Sequence, residues 1–159
     1  MNKQDFIDHI VTTQEWLRRF LASLCCGDMF MVDELAQETY IKAYLSIDKF
    51  KDDKKFKAWL IKIAYNTYIS HVRKIKPIVD IDEIRTIESE KQADTNFQYE
   101  DLYSALRSLP SMERASIILY YMEGYSSKEI AYLLQTKDQN VRQALSRGRE
   151  RLRILLKHG

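Results

Sequence analysis

SSKEIAYLLQTKDQNVRQALSRGRERLR, residues 126–153, reads as two helices joined by a tight turn. Ser126 and Glu129 stand at the S-x-x-E spacing of a capping box, in which each side chain satisfies an orphan amide of the first turn. Gly124, just ahead, can end the preceding helix in a left-handed conformation. The short helix runs to about Leu134, with Ile130, Ala131, Leu133 and Leu134 as its apolar side. Thr136 and Gln139 repeat the capping spacing and start a second helix. Along it Val141, Leu145, Gly148 and Leu152 fall at helical intervals and face inward, while Arg142, Gln143, Ser146, Arg149 and Arg153 fall on other faces.

The second helix thus presents an amide-rich start and an arginine-rich remainder. Gln and Asn can bond an adenine edge bidentately, and Arg can do the same to guanine. A helix of this kind with a shorter one crossed behind it is the helix-turn-helix arrangement for reading a major groove. The spacing alone also fits a helical hairpin with a solvated charged face. Charge separates the two readings. From Lys137 onward seven cations, Lys137, Arg142, Arg147, Arg149, Arg151, Arg153 and Lys157, meet only Asp138 and Glu150. That positive excess lies where phosphates would pass.

The chain has 159 residues, enough for one domain or two small ones with a real core. Four Gly, two Pro and frequent helical periodicity indicate an all-α protein. No apolar run approaches the roughly 20 residues of a membrane span, and the N-terminal stretch, with Asp5 and Asp8, has no apolar export core. Membrane insertion is not expected, and a cytoplasmic location is. Cys25 and Cys26 are adjacent, a spacing that suits neither a CxxC redox pair nor a zinc site.

Residues 4–24 form a first helix, with Ile7, Ile10, Leu17, Leu21 and Leu24 as its stripe, supported by Phe6, Trp16 and Phe20. Gly27 and Asp28 break it. A second helix starts near Val32 and turns Leu35, Ala36, Tyr40 and Ala43 inward. Its acids Asp33, Glu34 and Glu38 crowd the early turns, where the helix dipole favours them. With Gln37 they also make an acidic patch suited to a basic partner. Lys49 to Lys55 reads as a loop anchored by Phe50. A third helix follows, FKAWLIKIAYNTYISHVRK, with Phe56, Leu60, Ile63 and Ala64 buried and Trp59 beside them. Lys57, Lys62, Arg73 and Lys74 are interleaved with Tyr65 and Tyr68, a pattern that suits single-stranded nucleic acid, although on the pattern alone a core helix with a solvated lysine face is the favoured reading.

Pro77 closes this unit. From 76 to 101 eight acids outnumber three cations and apolar periodicity fades, which reads as a flexible acidic linker. Leu102, Ala105, Leu106 and Leu109 then make a short helix closed by Pro110. Ser111 opens another that carries Ile117, Ile118, Tyr120 and Tyr121, and the helix-turn-helix completes a four-helix bundle. The expected architecture is all-α: two small helical domains, 1–75 and 102–159, joined by the linker, with no internal repeat.

These residues carry a resemblance. VDELAQETYIKAYLSIDKF followed by FKAWLIKIAYN resembles region two of the extracytoplasmic-function sigma factors of bacterial RNA polymerase. ALRSLPSMERASIILYYMEGYSSKEIAYLLQTKDQNVRQALSRGRERLR resembles their region four, and the two occur in the family's order. The resemblance implies that Asp33, Glu34, Leu35, Gln37, Glu38, Ile41 and Tyr44 grip the clamp helices of the polymerase's largest subunit. It implies that the loop and third helix open the downstream promoter element and hold its strand through Lys51, Lys54, Lys55, Tyr65, Asn66 and Arg73. Extracting a base costs a few kcal/mol unless a pocket receives it, and the loop is the candidate pocket. The upstream element would be read as duplex through Lys137, Gln139, Asn140, Arg142, Gln143 and Ser146, with Arg147 and Arg149 holding phosphates. An anti-sigma protein is a further implied partner. Three departures stand out: Ser70 where an acid is common, Gln135 for the usual turn glycine, and Asn140 where Thr is common. Asp52 and Asp53 weaken the loop's positive field. A left-handed Gln135 would carry a steric cost.

The competing reading is a helix-turn-helix regulator that binds duplex DNA without the polymerase, since the C-terminal half also resembles modules of two-component regulators. An enzyme is not expected: His9, His71 and His158 are scattered, with no nucleophile motif and no glycine-rich phosphate loop. No metal or cofactor is called for.

Overall fold

A computed structural model of the chain describes residues 1–50, 55–75 and 100–157. The expected linker therefore lies outside the described residues up to position 99, as does most of the Lys49–Lys55 loop. The described chain is helical throughout, in two units. The first holds α1 (Lys3–Leu24), α2 (Met29–Leu45), a 3-10 turn (Ile47–Lys49) and α3 (Phe56–Ile75). The second holds α4 (Glu100–Arg107), α5 (Ser111–Ile117), a π-turn (Ile118–Met122), α6 (Ser127–Leu133) and α7 (Asp138–Lys157).

Asn2 caps α1 by accepting from the Asp5 amide at 2.8 Å. The helix buries Phe6, Trp16, Leu17, Phe20, Leu21 and Leu24, but Ile7 is exposed and Ile10 only half-buried. At the N-terminal end the aromatic ring, not its neighbour, faces the core, and Phe6 lies against Phe56 and Tyr44. Cys26 and Gly27 both take positive φ, +55° and +87°, and reverse the chain. Asp28 then caps α2, accepting from the Met31 amide, so α2 begins at Met29 and not near Val32. The correction has a consequence: no acid sits in the first turn of α2, where the dipole acts. Asp33, Glu34 and Glu38 are therefore not accounted for by the dipole.

Phe50 anchors the start of the loop as expected, buried and stacked on Trp59 at 4.8 Å. In α3 the buried residues are Phe56, Leu60, Ile61, Ala64, Tyr65, Thr67 and Tyr68, while Ile63 and Trp59 are half-buried. Ile61, Tyr65 and Tyr68, one turn apart in succession, form a second buried face beside the first.

In the second unit, Glu100 and Asp101 form the acidic first turn of α4. Pro110 leads into α5, which the π-turn extends. Gly124 ends this run at φ +76°, and the Tyr125 amide closes it onto the Leu119 carbonyl. Helix α7 packs closely on α5 at Gly148, where a Cβ would come within 2.9 Å of Ile117 Cγ1.

The two units share one contiguous core, from Phe6 to Leu145. Its polar centre is Arg114. The Arg114 guanidinium donates to the carbonyls of Leu106, Arg107 and Leu109 at the end of α4, to Leu24 at the end of α1 and to the Tyr68 hydroxyl on α3. It thereby satisfies carbonyls that two helix C-termini leave orphaned. Arg107 reaches across to the Cys26 carbonyl at 3.3 Å. Farther along the seam, the Trp16 indole N–H donates to Glu123 at 2.6 Å, Lys57 lies 3.7 Å from the same carboxylate oxygen, and the Lys57 ammonium sits 4.4 Å over the Trp16 ring. Lys62 lies 4.6 Å over the ring of Tyr132 on α6.

Candidate nucleic-acid interface

Helices α6 and α7 form the helix-turn-helix that the capping pattern anticipates. Both arms of the box close: the Ser126 hydroxyl accepts from the Glu129 amide at 3.2 Å, and the Glu129 carboxylate accepts from the Ser126 amide at 2.9 Å. The amide's hydrogen bond, then the hydroxyl's, holds the Glu129 carboxyl below the usual carboxylate range. The turn is closed by the Thr136 amide on the Ala131 carbonyl, with Gln135 left-handed at φ +55°.

Thr136 does not repeat the box. Its hydroxyl instead accepts from the Asn140 side chain at 3.0 Å, because α7 begins at Asp138 and puts Thr136 and Asn140 one turn apart. Val141, Ala144, Leu145 and Gly148 are buried and Leu152 half-buried, so the inward stripe is as expected, with Ala144 added. Lys137, Gln139, Asn140, Arg142, Gln143, Ser146, Arg147 and Arg149 are all exposed. Some of this set are tethered: Arg142 to Asp138 at 3.4 Å and Arg149 to the Tyr121 hydroxyl at 3.3 Å. Gln139, Gln143, Ser146 and Arg147 carry no such tether among the described residues. A row of short amide and hydroxyl side chains followed by arginines is chemically able to meet base edges first and phosphates second.

The downstream set divides. Lys51 and Lys54 lie outside the described residues. Lys55, just ahead of α3, is exposed, as are Asn66 and Arg73, which share one line along α3 with Lys62 at four- and seven-residue steps, over about 17 Å of helix axis. Tyr65 is buried, at 5% exposure, and so is Tyr68, which agrees with the core-helix reading of the pair and takes Tyr65 out of the exposed strand-contact set. The cause is tertiary: Tyr65 shares the face of α3 on which Tyr68 meets Arg114, so the second unit lies against that face. Burial pushes the Tyr65 hydroxyl up to about 12, with the neighbouring Tyr68 adding and Arg73 opposing.

On α2, Asp33, Glu34, Gln37, Glu38, Ile41 and Tyr44 are exposed, but Leu35 is fully buried. Leu35 belongs to the opposite side of the helix, which packs on α1 and α3. Phe30 and Leu45, which sequence reasoning passed over, are 73% and 76% exposed. They join Glu34, Gln37 and Ile41 in a stripe at intervals of three and four. Their signal was present: α2 carries apolar residues on both sides, where a core needs only one. Arg18 pairs with Asp33 and Lys42 with Glu38, which leaves Glu34 the carboxylate at the centre of the stripe.

Among the described residues no group of three or more His, Cys, Asp or Glu could hold a metal, and no helix is long and apolar enough to cross a membrane.

Comparison with known proteins adds a lineage to this geometry. Residues 10–77 match the family model for sigma-70 region 2, and residues 99–152 match that for sigma-70 region 4. The chain is similar to the ECF RNA polymerase sigma factor SigM of Bacillus subtilis, 32% identical over 89% of this chain and 88% of the relative. It is also similar to EcfG of Rhodopseudomonas palustris, 30% identical over 94% of this chain and 83% of the relative. Among solved structures, the sigma factor RpoE from Bartonella quintana, in complex with the anti-sigma factor NepR, superposes with a TM-score of 0.75 at 27% identity, covering 97% of this chain and 98% of that one. CnrH, in complex with the cytosolic domain of CnrY, shares the fold with a TM-score of 0.71 at 23% identity, over 99% of this chain and 90% of that one.

Proposed function

The chain belongs to the extracytoplasmic-function RNA polymerase sigma factors, and on that footing we propose which of its residues meet the polymerase and which meet the promoter. A sigma factor brings core RNA polymerase to promoters and starts transcription there. The division of labour follows the two units. Residues 1–75 bind the polymerase and engage the downstream element, residues 102–159 read the upstream element, and residues 76–101 join them.

The polymerase face is the exposed stripe of α2: Glu34, Gln37 and Ile41 at its centre, Phe30 and Leu45 at its ends, with Asp33, Glu38 and Tyr44 beside it. Leu35 holds this face in place from beneath. Exposed apolar side chains around carboxylates suit a partner helix that offers both apolar and basic residues. Upstream, Lys137, Gln139, Asn140, Arg142, Gln143 and Ser146 face the base edges of a major groove, while Arg147 and Arg149 fix register on phosphates. Downstream, the loop with Lys51, Lys54 and Lys55, then Asn66 and Arg73 along α3, hold the opened strand. Tyr65 joins them only once its face is uncovered.

The chain performs no chemistry of its own, since the polymerase makes the RNA, and it works in the bacterial cytoplasm. Its likeness to a sigma factor solved with an anti-sigma partner supports a protein inhibitor as a further partner.

The observation that carries this reading is that one chain joins a basic recognition helix to an exposed acidic and apolar face on α2. A regulator acting on duplex DNA alone has no use for the second feature. Pull-down with purified core polymerase, followed by run-off transcription on genomic fragments, tests it: binding and discrete transcripts are expected. Glu34→Lys with Gln37→Ala should abolish polymerase binding while duplex binding by α7 persists. Retained polymerase binding in that variant would sink the assignment of the α2 face.

A further inference from the structure

We propose that Tyr121 and Arg149 form a single clamp on one backbone phosphate of the upstream duplex, with the tyrosine hydroxyl bracing the guanidinium and supplying a further donor. The inference rests on the reading of α7 as the duplex-binding helix and adds to it a contact from outside the helix-turn-helix.

Three observations carry it. The first is how Arg149 is held. It donates from Nη1 to the Tyr121 hydroxyl at 3.3 Å, across from α7 to the π-turn. Arg142, Arg151 and Arg153 lie instead beside the carboxylates of Asp138, Glu113 and Glu150, at 3.4, 3.0 and 3.3 Å. A carboxylate offsets a guanidinium's field, whereas an uncharged hydroxyl fixes its direction and leaves the charge for an anion. The second is the π-turn itself. The Glu123 amide bonds to the Ile118 carbonyl five residues back, and Tyr120, Tyr121 and Met122 stand exposed in succession. An extra residue in the helical ladder re-aims the side chains around it, and here Tyr121 points at α7. Tyr120 meets its ring edge-on at 5.0 Å and props it. The third is position. Arg149 continues the exposed line of Arg142 and Ser146 at steps of four and three, roughly 10 Å along the axis from Arg142. A recognition helix that sets its first turns against base edges carries its later turns to the sugar–phosphate wall of a groove about 12 Å wide.

The chemistry of the pair is complementary. A tyrosine hydroxyl that accepts from Arg149 still has its own hydrogen to donate, and the guanidinium keeps its other N–H donors. Both meet the oxygens of one phosphate, the arginine by charge and the hydroxyl by a hydrogen bond to an ionised acceptor. Such a contact sets register and carries no base information.

The test uses the chain assembled with core polymerase and a labelled duplex from a transcribed genomic fragment. Tyr121→Phe removes only the hydroxyl, at a position 56% exposed, and should weaken duplex binding about tenfold with an unmoved thermal midpoint. Single base-pair changes in the upstream element should alter its affinity by the same factors as for the unaltered chain. Arg149→Gln should lower the salt slope of binding by about one, and on that background Tyr121→Phe should add little. Tyr120→Phe takes a hydroxyl from the neighbouring ring and should bind as the unaltered chain does. Unchanged affinity in Tyr121→Phe overturns the clamp. So does an equal loss in Tyr120→Phe, an undiminished loss on the Arg149→Gln background, or a loss that comes with a lowered midpoint. Run-off transcription by the unaltered chain reports on the sigma-factor reading separately. Discrete transcripts with no effect at Tyr121 sink the clamp alone, and absent transcripts sink the reading on which it stands.

Discussion

Arg114 shows how much one residue can organise. Its five donors meet carbonyls from α1 and α4 and a hydroxyl on α3, so a single guanidinium terminates two helices and joins two units. A planar fork with fixed donor directions can do this, and an ammonium cannot. Arg114→Met keeps much of the apolar stem but strands those carbonyls in a half-buried seam. We expect a loss of about 3 kcal/mol or more in unfolding free energy, measured by urea denaturation. A loss below about 1 kcal/mol would mean that water replaces the guanidinium freely. Nothing in the neighbouring sequence marks this role of Arg114, because its partners lie up to 90 positions away.

Among the elements, the turn of the helix-turn-helix is where local rules and observed geometry meet most closely. Ser126 and Glu129 form their box, and Gly124 takes the left-handed conformation expected of it. Gln135 takes the same conformation without glycine's freedom, at φ +55°. A left-handed residue with a Cβ costs roughly 1 kcal/mol, part of which glycine returns as unfolded-chain entropy. Gln135→Gly should therefore stabilise the protein by about 0.5 kcal/mol, read as a raised thermal midpoint with duplex binding unchanged. A lowered midpoint would show that the glutamine side chain contributes more than its backbone costs. Helix α2 teaches the reverse lesson. Its capping residue is Asp28, a position the glycine beside it disguised as a plain break, and the earlier start moves three acids out of the dipole's reach.

At the scale of the molecule, the docking of one unit on the other joins the two into one core and so bears on stability. Tyr65 illustrates this through its titration, since burial raises its hydroxyl from 10.0 to about 12, and burial raises Tyr68 as well. Folding favours the protonated phenol. The resulting stability is whole below the unfolded value near pH 10.0 and is lost as pH rises through about 12. Unfolding free energy should fall across that window, with tyrosinate absorbance rising in step. An unfolding free energy that stays level there would place Tyr65 in water.

What the sequence determined by itself was everything that depends on neighbours within a few turns. Helical period set the all-α class, caps and left-handed residues set the helix-turn-helix, and the charge excess after Lys137 marked the basic helix whose candidate readers all prove exposed. The family's motifs, in order, pointed to the lineage that the comparisons establish. What only the tertiary structure decided was which side of an amphipathic or doubly apolar helix is covered. Tyr65 is a surface candidate by type and spacing and Leu35 only by the family's pattern, yet both are buried, while Phe30 and Leu45 are apolar and stand in solvent. Periodicity reports that a helix has faces. It does not report what packs on the second of them, because the free energy of covering a face comes from whichever residues arrive there, and these are distant in the chain.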